Sequence, residues 1–437
     1  MLIEFNTTNN RSFRKNNRLS LIAASIKDLE NEAVIELERM NLLKCAVIYG
    51  ANASGKSNFL DSIAQMRWLV KNSSKESLAN DPLNIKPYLL DNFSEKKPTL
   101  FEMIFYIGKT KYRYGFEATN KRFVSEWLFE TLRKQEKPLF IRDMDNIQMV
   151  EKFSEGDRLE DKTRPNALFL SVAAQFNGEI SNKIVEWFRM CNFLHGINDA
   201  NYFDITAEML EDKKTSKMVL DFIKLADLGI NNLKLNELEN EFSDFSEDIF
   251  SKKGKKHYKK ILEELKSETV ADITTFHDVY DSKNKKVGEV EFSLNDQESH
   301  GTNKFFNIVG PIIHTILTGT ILIIDEFNTR LHPLLTRKII ELFNSKEGNP
   351  NNAQLIFSTH DTNLLDRDIF RRDQIYFAEK DNYGESHLYS LIEYKPRNDE
   401  AYEKNYISGK YGAIPFIGDF DSIMKHRRKR TKKVTNG

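Results

Sequence analysis

The sequence predicts an α/β fold with a parallel-sheet core, an antiparallel β layer and a helical insertion. The continuous apolar run Leu42–Tyr49 ends at a glycine-containing loop, which is typical of a buried parallel strand. Between residues 99 and 133 the apolar period drops to two, which is typical of antiparallel strands. Beyond residue 297, helical and strand patterns alternate, which favours a parallel sheet.

The composition is that of a globular chain with two or three domains. The 437 residues are 40% hydrophobic, enough to build buried cores, and domains usually contain about 100–200 residues. Charged residues make up 30% of the chain but the net charge is -1, so overall charge argues neither for nor against a nucleic-acid partner. The two cysteines, Cys45 and Cys191, form neither a disulfide framework nor a zinc motif.

Two stretches of the sequence bear on whether the protein is exported or inserted in a membrane. The first residues lack the basic, apolar and small-residue zones of a signal peptide, so we expect a cytoplasmic protein. Phe305–Ile324 is nearly apolar, and a hydropathy window of about 19 residues would mark it as membrane-spanning. Asn307, Pro311 and Gly319 interrupt it, and Asp325 follows it. We therefore predict a buried helix followed by a buried strand, and no membrane partner.

In chain order, residues 1–165 are predicted to form a first lobe. Residues 1–25 carry alternating β-formers and predict short strands around a turn. The apolar spacing of Ser57–Lys71 predicts a helix. A hairpin is expected to turn at Gly108–Lys109, and residues 122–150 continue the antiparallel layer.

The rest of the chain is predicted as a helical insertion at 166–270, a second lobe at 271–424 and a basic tail at 425–437. Residues 270–295 have strand character. The alternating elements of the second lobe are a helix from Asn303 onward, a strand at Ile321–Ile324, a helix at Leu334–Phe343 and a strand at Leu355–Thr359.

Gly50–Ser57 fits the phosphate-loop pattern G-x-x-x-x-G-K-[ST] at every position. Glycines let the backbone wrap around phosphate with its N–H groups inward, and the following helix points its positive end at the anion. Such a match arises by chance in on the order of 1% of chains of this length. The buried strand before the loop and the amphipathic helix after it argue against chance.

The motif assigns roles to particular side chains. Lys56 is expected to bridge the β- and γ-phosphates of ATP, and Ser57 to ligate Mg²⁺. The residues predicted to contact the nucleotide are Gly50, Ala51, Asn52, Ala53, Ser54, Gly55, Lys56, Ser57 and Asn58.

The strand Ile321–Ile324 ends on Asp325 and Glu326. A buried parallel strand places both carboxylates at the carboxyl edge of the sheet, where ligands bind. Asp325 is predicted to hold Mg²⁺, and Glu326 to polarise the attacking water. Taken alone, the segment could equally be an ordinary strand with a charged end. About 270 residues separate the loop from these acids, which predicts a large insertion.

Two more segments flank the acidic strand. Ser299 and Gly301 precede the helix from Asn303, and a serine followed by glycine at a helix start forms an anion-binding end; capping alone is the alternative. His360 follows the next strand, where it is placed to sense the γ-phosphate; a plain surface histidine is the alternative.

In this order the motifs resemble the ABC-type ATPases of the RecF, SMC and OLD group. Asn9–Phe13 is similar to the N-F-R-S-F segment of that group, with Asn10 in place of its Phe. More narrowly, the chain resembles the prokaryotic single-chain ATPases of the RloA and abortive-infection AbiL type, well over 1–60 and 290–420 and loosely between. The segments that carry this are Glu298–Thr302, Asp325–Glu326, Leu331–Pro333, Thr359–Asp361, Arg372–Ile375 and Tyr411–Pro415.

The resemblance implies an ABC-type P-loop ATPase head that binds ATP and Mg²⁺ in a homodimer or higher homo-oligomer. It implies that Ser299 and Gly301 of one subunit close over ATP held by the other, and that Arg11 lies near the nucleotide. It also implies that Asn328 and Thr329 form the turn between subunits.

The sequence departs from that group in three places. The usual glutamine after the first sheet is not evident, and Pro87–Leu90 occupies about its position. The signature is ESHGT rather than LSGGQ. The long coiled coil of the SMC members is missing, so DNA bridging over long distances is not expected.

The resemblance favours an ATP hydrolase in a prokaryotic antiviral system, linked to abortive infection or restriction. ATP binding would close a dimer and gate an effector, a nuclease-like protein encoded nearby. The acids Asp361, Asp366, Asp368 and Asp373 lack the glycine turn and paired strands of a TOPRIM nuclease centre.

Two alternatives stay open. A RecF-like repair or recombination ATPase would bind DNA directly through Lys252–Lys260 or Lys425–Lys433, which otherwise are solvated surface runs. A scaffold that binds ATP without hydrolysing it is disfavoured by the presence of Glu326.

Overall fold

The computed structural model describes residues 1–76, 78, 80–132, 135–195, 202–236, 272–397 and 399–415. The predicted basic run Lys252–Lys260, the predicted basic tail 425–437 and the last part of the predicted helical insertion lie outside these ranges. The described residues form a mixed α/β protein with sheets of seven, six, three and two strands.

The first part of the chain is mainly strands. Its elements are β1 (Leu2–Thr8), β2 (Asn17–Ser20), α1 (Glu30–Ala33), β3 (Val34–Ile35), β4 (Leu42–Leu43), β5 (Cys45–Tyr49), α2 (Lys56–Asn72), β6 (Thr99–Ile107), β7 (Thr110–Ala118), β8 (Phe123–Leu132), β9 (Gln135–Asp143) and β10 (Asn146–Met149). The predicted hairpin at Gly108–Lys109 is confirmed as the β6–β7 connection.

The second part alternates helices with strands. Its elements are α3 (Phe169–Gln175), α4 (Glu179–Met190), β11 (Asn192–His195), α5 (Phe203–Glu211), α6 (Lys213–Leu225), β12 (Asn232–Asn236), β13 (Asp272–Tyr280), β14 (Lys286–Ser293), α7 (His300–Thr318), β15 (Ile321–Asp325), α8 (Pro333–Asn344), β16 (Gln354–Ser358), β17 (Ile375–Lys380), β18 (Ser386–Ser390) and α9 (Tyr402–Ile407).

The six-stranded sheet has the order β11–β15–β16–β5–β17–β18, and all its pairings are parallel except β17 with β18. Strands β5, β15 and β16 are buried along their whole length, which explains why their sequences are continuous apolar runs. Because these strands are parallel neighbours, the segments that follow them meet at one edge of the sheet. Those segments begin at Gly50, Glu326 and Thr359.

Three segments differ from the prediction. One is β12 (Asn232–Asn236), a strand within the predicted helical insertion. Leu42–Tyr49 is not one strand, because β4 pairs antiparallel with β3 while β5 enters the parallel sheet. Asn192–His195 lies in the predicted helical block but forms β11, with Leu194 opposite Ile324 of the acidic strand. A four-residue strand is too short for its own apolar period to be recognised in the sequence.

The seven-stranded sheet is antiparallel throughout, in the order β10–β9–β8–β7–β6–β1–β2. Helix α2 joins it to the parallel sheet through a shared apolar core. Phe59 of α2 meets the rings of Phe5 and Phe13 edge to face, each at 5.6 Å between centroids. The helix that follows the phosphate loop is therefore held by both sheets.

The apolar run Phe305–Ile324 forms most of α7 and β15, and both are largely buried, as predicted. Thr206 of α5 supports α7 next to Pro311, which has no backbone N–H to donate. The Thr206 hydroxyl donates to the Phe306 carbonyl at 2.9 Å and accepts from the Gly310 N–H at 3.1 Å. No described helix is long and apolar enough to cross a membrane.

Candidate functional site

The phosphate loop depends on its two glycines. Gly50 and Gly55 have φ angles of +154° and +114°, which side-chain-bearing residues rarely adopt. A Cβ on Gly50 would lie 2.3 Å from the Ala378 carbonyl oxygen, and one on Gly55 would lie 2.5 Å from Ser386 Oγ. The backbone thus packs as closely on β17 and β18 as glycine allows.

Hydrogen bonds from distant segments fix the outer side of the loop. Ser386 of β18 donates through Oγ to the Ser54 carbonyl and through its N–H to the Ser12 carbonyl, both at 2.7 Å. Asn58 Nδ2 donates to Ser12 Oγ at 2.9 Å. Sequence reasoning missed Ser12 and Ser386 as supports. Ser12 lies in the Asn9–Phe13 segment already singled out, whereas nothing in the local sequence marks Ser386.

Lys56 is buried at the start of α2 and points back over the loop. Its Nζ donates to the carbonyls of Gly50 and Ala51 at 2.9 and 3.0 Å. Burial lowers the pKa of Lys56 to about 8, and the carboxylates of Asp325 and Glu326 act against that shift. The first turn of α2 contains no acidic residue and Gly55 supplies no side-chain cap, so the N–H groups of this helix end can receive an anion.

The two acids at the end of β15 are held by Ser358, the last residue of the neighbouring β16. Ser358 Oγ donates to Asp325 Oδ1 at 2.5 Å and accepts from the Glu326 N–H at 2.8 Å. Glu326 has a φ of +52°, in the left-handed region, which turns the chain away from the strand. One hydroxyl therefore orients the Asp325 carboxylate and fixes the turn that positions Glu326.

His360 follows β16 at the same edge. Thr359 Oγ1 donates to Asn328 Oδ1 at 2.8 Å, which ties this segment to the turn after the acidic strand. Desolvation lowers the pKa of His360, the Lys56 charge acts in the same direction, and Glu326 and Asp325 oppose both. The structure thus brings Lys56, the two acids and the histidine into one electrostatic group.

Ser299 and Gly301 lie at the start of α7, against the turn that follows the acids. Ser299 Oγ accepts from the Thr302 N–H at 3.1 Å, so the capping interaction is present, and the Ser299 side chain is exposed. A Cβ on Gly301 would lie 3.1 Å from the Arg330 carbonyl oxygen. Among the described residues, Ser299 shares no hydrogen bond with the phosphate loop of its own chain.

Glu298, immediately before Ser299, is anchored to the three-stranded sheet β12–β13–β14. Its Oε1 accepts from Thr275 Oγ1 at 2.6 Å and lies 2.6 Å from His277 Nε2. Both partners belong to β13, so this sheet holds the beginning of α7 in place. No local sequence pattern predicts this pairing, because it joins residues on either side of the β13–β14 hairpin.

Arg11 lies beside α2. Its Nη1 is 2.6 Å from Asp61 Oδ2, and its N–H donates to the Lys86 carbonyl at 2.7 Å. Neighbouring Asn9 accepts from the Tyr88 N–H at 3.1 Å, so the Pro87–Leu90 segment runs alongside. The expectation that Arg11 lies near the nucleotide remains a prediction. In the structure Arg11 contacts α2 at Asp61, one helical turn beyond Ser57.

The sequence matches a family model described as "AAA domain, putative AbiEii toxin, Type IV TA system" over residues 45–366, about three quarters of the chain. The matched range begins at β5 and contains the phosphate loop, both acids and His360. No curated protein matches the chain at a significant level. The chain therefore belongs to this family of AAA-domain P-loop ATPases.

Proposed function

We propose that the chain is a Mg²⁺-dependent ATP hydrolase whose ATP-driven dimer closure gates an effector in a prokaryotic antiviral system. The observation that carries the proposal is the grouping of Lys56, Asp325, Glu326 and His360 at the carboxyl edge of the parallel sheet. Family membership supports the nucleotide. A phosphate loop facing two acids and a histidine is the arrangement that phosphoryl transfer needs.

Each residue has a distinct role in this proposal. The loop N–H groups cradle the phosphates, and Lys56 exchanges the Gly50 and Ala51 carbonyls for phosphate oxygens. The Ser57 hydroxyl and the Asp325 carboxylate are hard oxygen donors that fit Mg²⁺, which would neutralise charge on the phosphates. Glu326 polarises the attacking water.

Dimer closure accounts for the exposed start of α7. Ser299 is exposed and already anchored through Glu298, so it is a preformed contact for ATP held by a partner. Gly301 leaves room for a phosphate to approach the helix backbone. Asn328 and Thr329, in the turn beside it, would cross between subunits.

The biological role rests on the family. Its description reads "putative AbiEii toxin, Type IV TA system", which supports a role in a defence-related module. Two of the acids singled out in the sequence have structural contacts: Asp373 is paired with buried Arg371, and Asp361 caps the turn at Thr362–Leu364. We therefore assign the destructive step to a nuclease-like effector encoded nearby, acting in the cytoplasm.

Glu326→Gln tests the mechanism. It keeps the side chain's shape but removes the base, so hydrolysis should fall by at least about 100-fold while ATP still binds. ATP-dependent dimers should then accumulate in size-exclusion chromatography with light scattering. Glu347→Gln, an exposed acid elsewhere, is the matched control. Wild-type hydrolysis by Glu326→Gln would show the proposed mechanism to be wrong.

A further inference from the structure

A group of side chains that can bind metal lies in the turn between β17 and β18 and at the start of β18, apart from the acids of the nucleotide site. Asp381, Glu385 and His387 each offer one ligand atom, and these atoms all lie within 4.8 Å of one another. His387 Nε2 is 3.6 Å from Asp381 Oδ2. Among the described residues, this is the one group of three or more His, Cys, Asp or Glu side chains close enough together to hold a metal ion.

Glu385 gives the cluster a feature that exposed acidic groups lack. Its side chain is 1% exposed, and among the described residues its Oε1 has neither a hydrogen-bond partner nor an ion pair. The negative charge of Glu385 is compensated by an ion pair between its Oε2 and Arg14 Nη2 at 2.5 Å. A buried carboxylate is costly unless its lone pairs are satisfied, so Oε1 lacks a partner that a cation would supply.

We propose that Asp381, Glu385 and His387 bind a divalent first-row transition-metal ion of the Zn²⁺ or Mn²⁺ class. An imidazole together with carboxylates selects such ions, whereas Mg²⁺ prefers oxygen ligands alone. Three protein ligands leave coordination positions for water. Arg14 stays on Oε2, so the Glu385 carboxylate is shared between the guanidinium and the metal ion.

The site is connected to the phosphate loop through the residue between two of its ligands. Ser386 lies between Glu385 and His387, and it donates to the carbonyls of Ser54 and Ser12. A metal ion held by its neighbours fixes the turn that supports the loop from behind. In this proposal the ion stabilises the turn, and it is distinct from the Mg²⁺ of ATP hydrolysis.

The chain contains a matched turn without the other ligands. Asp381 Oδ1 accepts from the N–H groups of residues 383 and 385 at 2.9 and 2.8 Å. Asp281, in the β13–β14 turn, accepts in the same way from Lys283 and Lys285 at 2.8 and 2.9 Å. Lysine occupies the position that corresponds to Glu385, so Asp281→Asn is a control for the turn itself.

The test is calorimetric titration of Zn²⁺ into the tag-free full chain without nucleotide, in an Asp325→Asn background that removes the predicted Mg²⁺ ligand. We expect one Zn²⁺ per chain. Adding His387→Ala or Asp381→Asn, both partly exposed positions, should weaken binding by more than about tenfold, whereas Asp281→Asn should not. Unchanged stoichiometry and affinity in His387→Ala would overturn the proposal.

A second variant predicts a gain rather than a loss. Arg14→Gln removes the positive charge that competes for Glu385, so Zn²⁺ affinity should rise by about tenfold. This outcome is not produced by general damage to the fold. An affinity that stays the same or falls would contradict Glu385 as a ligand.

Discussion

The starts of α2 and α7 are both helix ends placed to receive an anion, but their surroundings differ. At α2 the chain supplies a complete cradle, with Lys56 inside and Ser386 and Ser12 behind. At α7 the end is capped by the exposed Ser299, and the neighbouring Glu298 anchors it to β13. In the proposed mechanism the first end holds phosphate by itself, whereas the second meets phosphate that another subunit holds.

The largest expected effect is at the α2 end. Lys56→Ala removes the buried cation that faces the phosphates, and losing one partner of a desolvated charge pair costs about 2–5 kcal/mol. ATP affinity should fall by about 1,000-fold, measured with a fluorescent ATP analogue. Lys75→Ala, an exposed lysine just beyond α2, should bind normally. Retained affinity in Lys56→Ala would remove the contrast between the two ends.

The α7 end should affect hydrolysis rather than binding. Ser299→Ala should lower the turnover number by about 100-fold, the usual cost of one lost transition-state donor, with ATP affinity unchanged. It also removes a helix cap worth about 1 kcal/mol. Asp212→Ala, which removes the cap of α6, is the control for that loss. Equal ATPase rates in the two variants would show that Ser299 caps the helix and does not take part in hydrolysis.

A third prediction separates the shape of the α2 cradle from its charge. Gly55→Ala adds both a strained φ and a Cβ 2.5 Å from Ser386 Oγ, so it should lower the free energy of unfolding by about 3 kcal/mol. Gly108→Ala, at φ +57° with open space around it, carries strain alone and should cost about 1 kcal/mol. Equal losses in urea titrations would show that β18 does not confine the loop.

The same contrast explains how much could be predicted from the sequence. Gly50–Ser57 and the Asp325–Glu326 pair are contiguous patterns whose backbone demands are local, so the sequence predicts them and the strands that carry them. Ser386 supports Ser54 from 332 positions away, and this depends on β17 and β18 adding to the edge of the parallel sheet. The pairing of Glu298 with His277 and the placement of β11 likewise depend on which strands become neighbours.

The smallest expected effect is the number of protons that the protein takes up when ATP binds. With a pKa of about 8, Lys56 is partly neutral at pH 8.5, and phosphate binding should raise that pKa and take up a fraction of a proton. At pH 6.5 Lys56 is already charged in the free protein, so it contributes no uptake there. Calorimetry of ATP binding in buffers of different ionisation enthalpy measures the difference. Lys56→Arg keeps its charge at both pH values, and uptake that persists in it would assign the proton to another group.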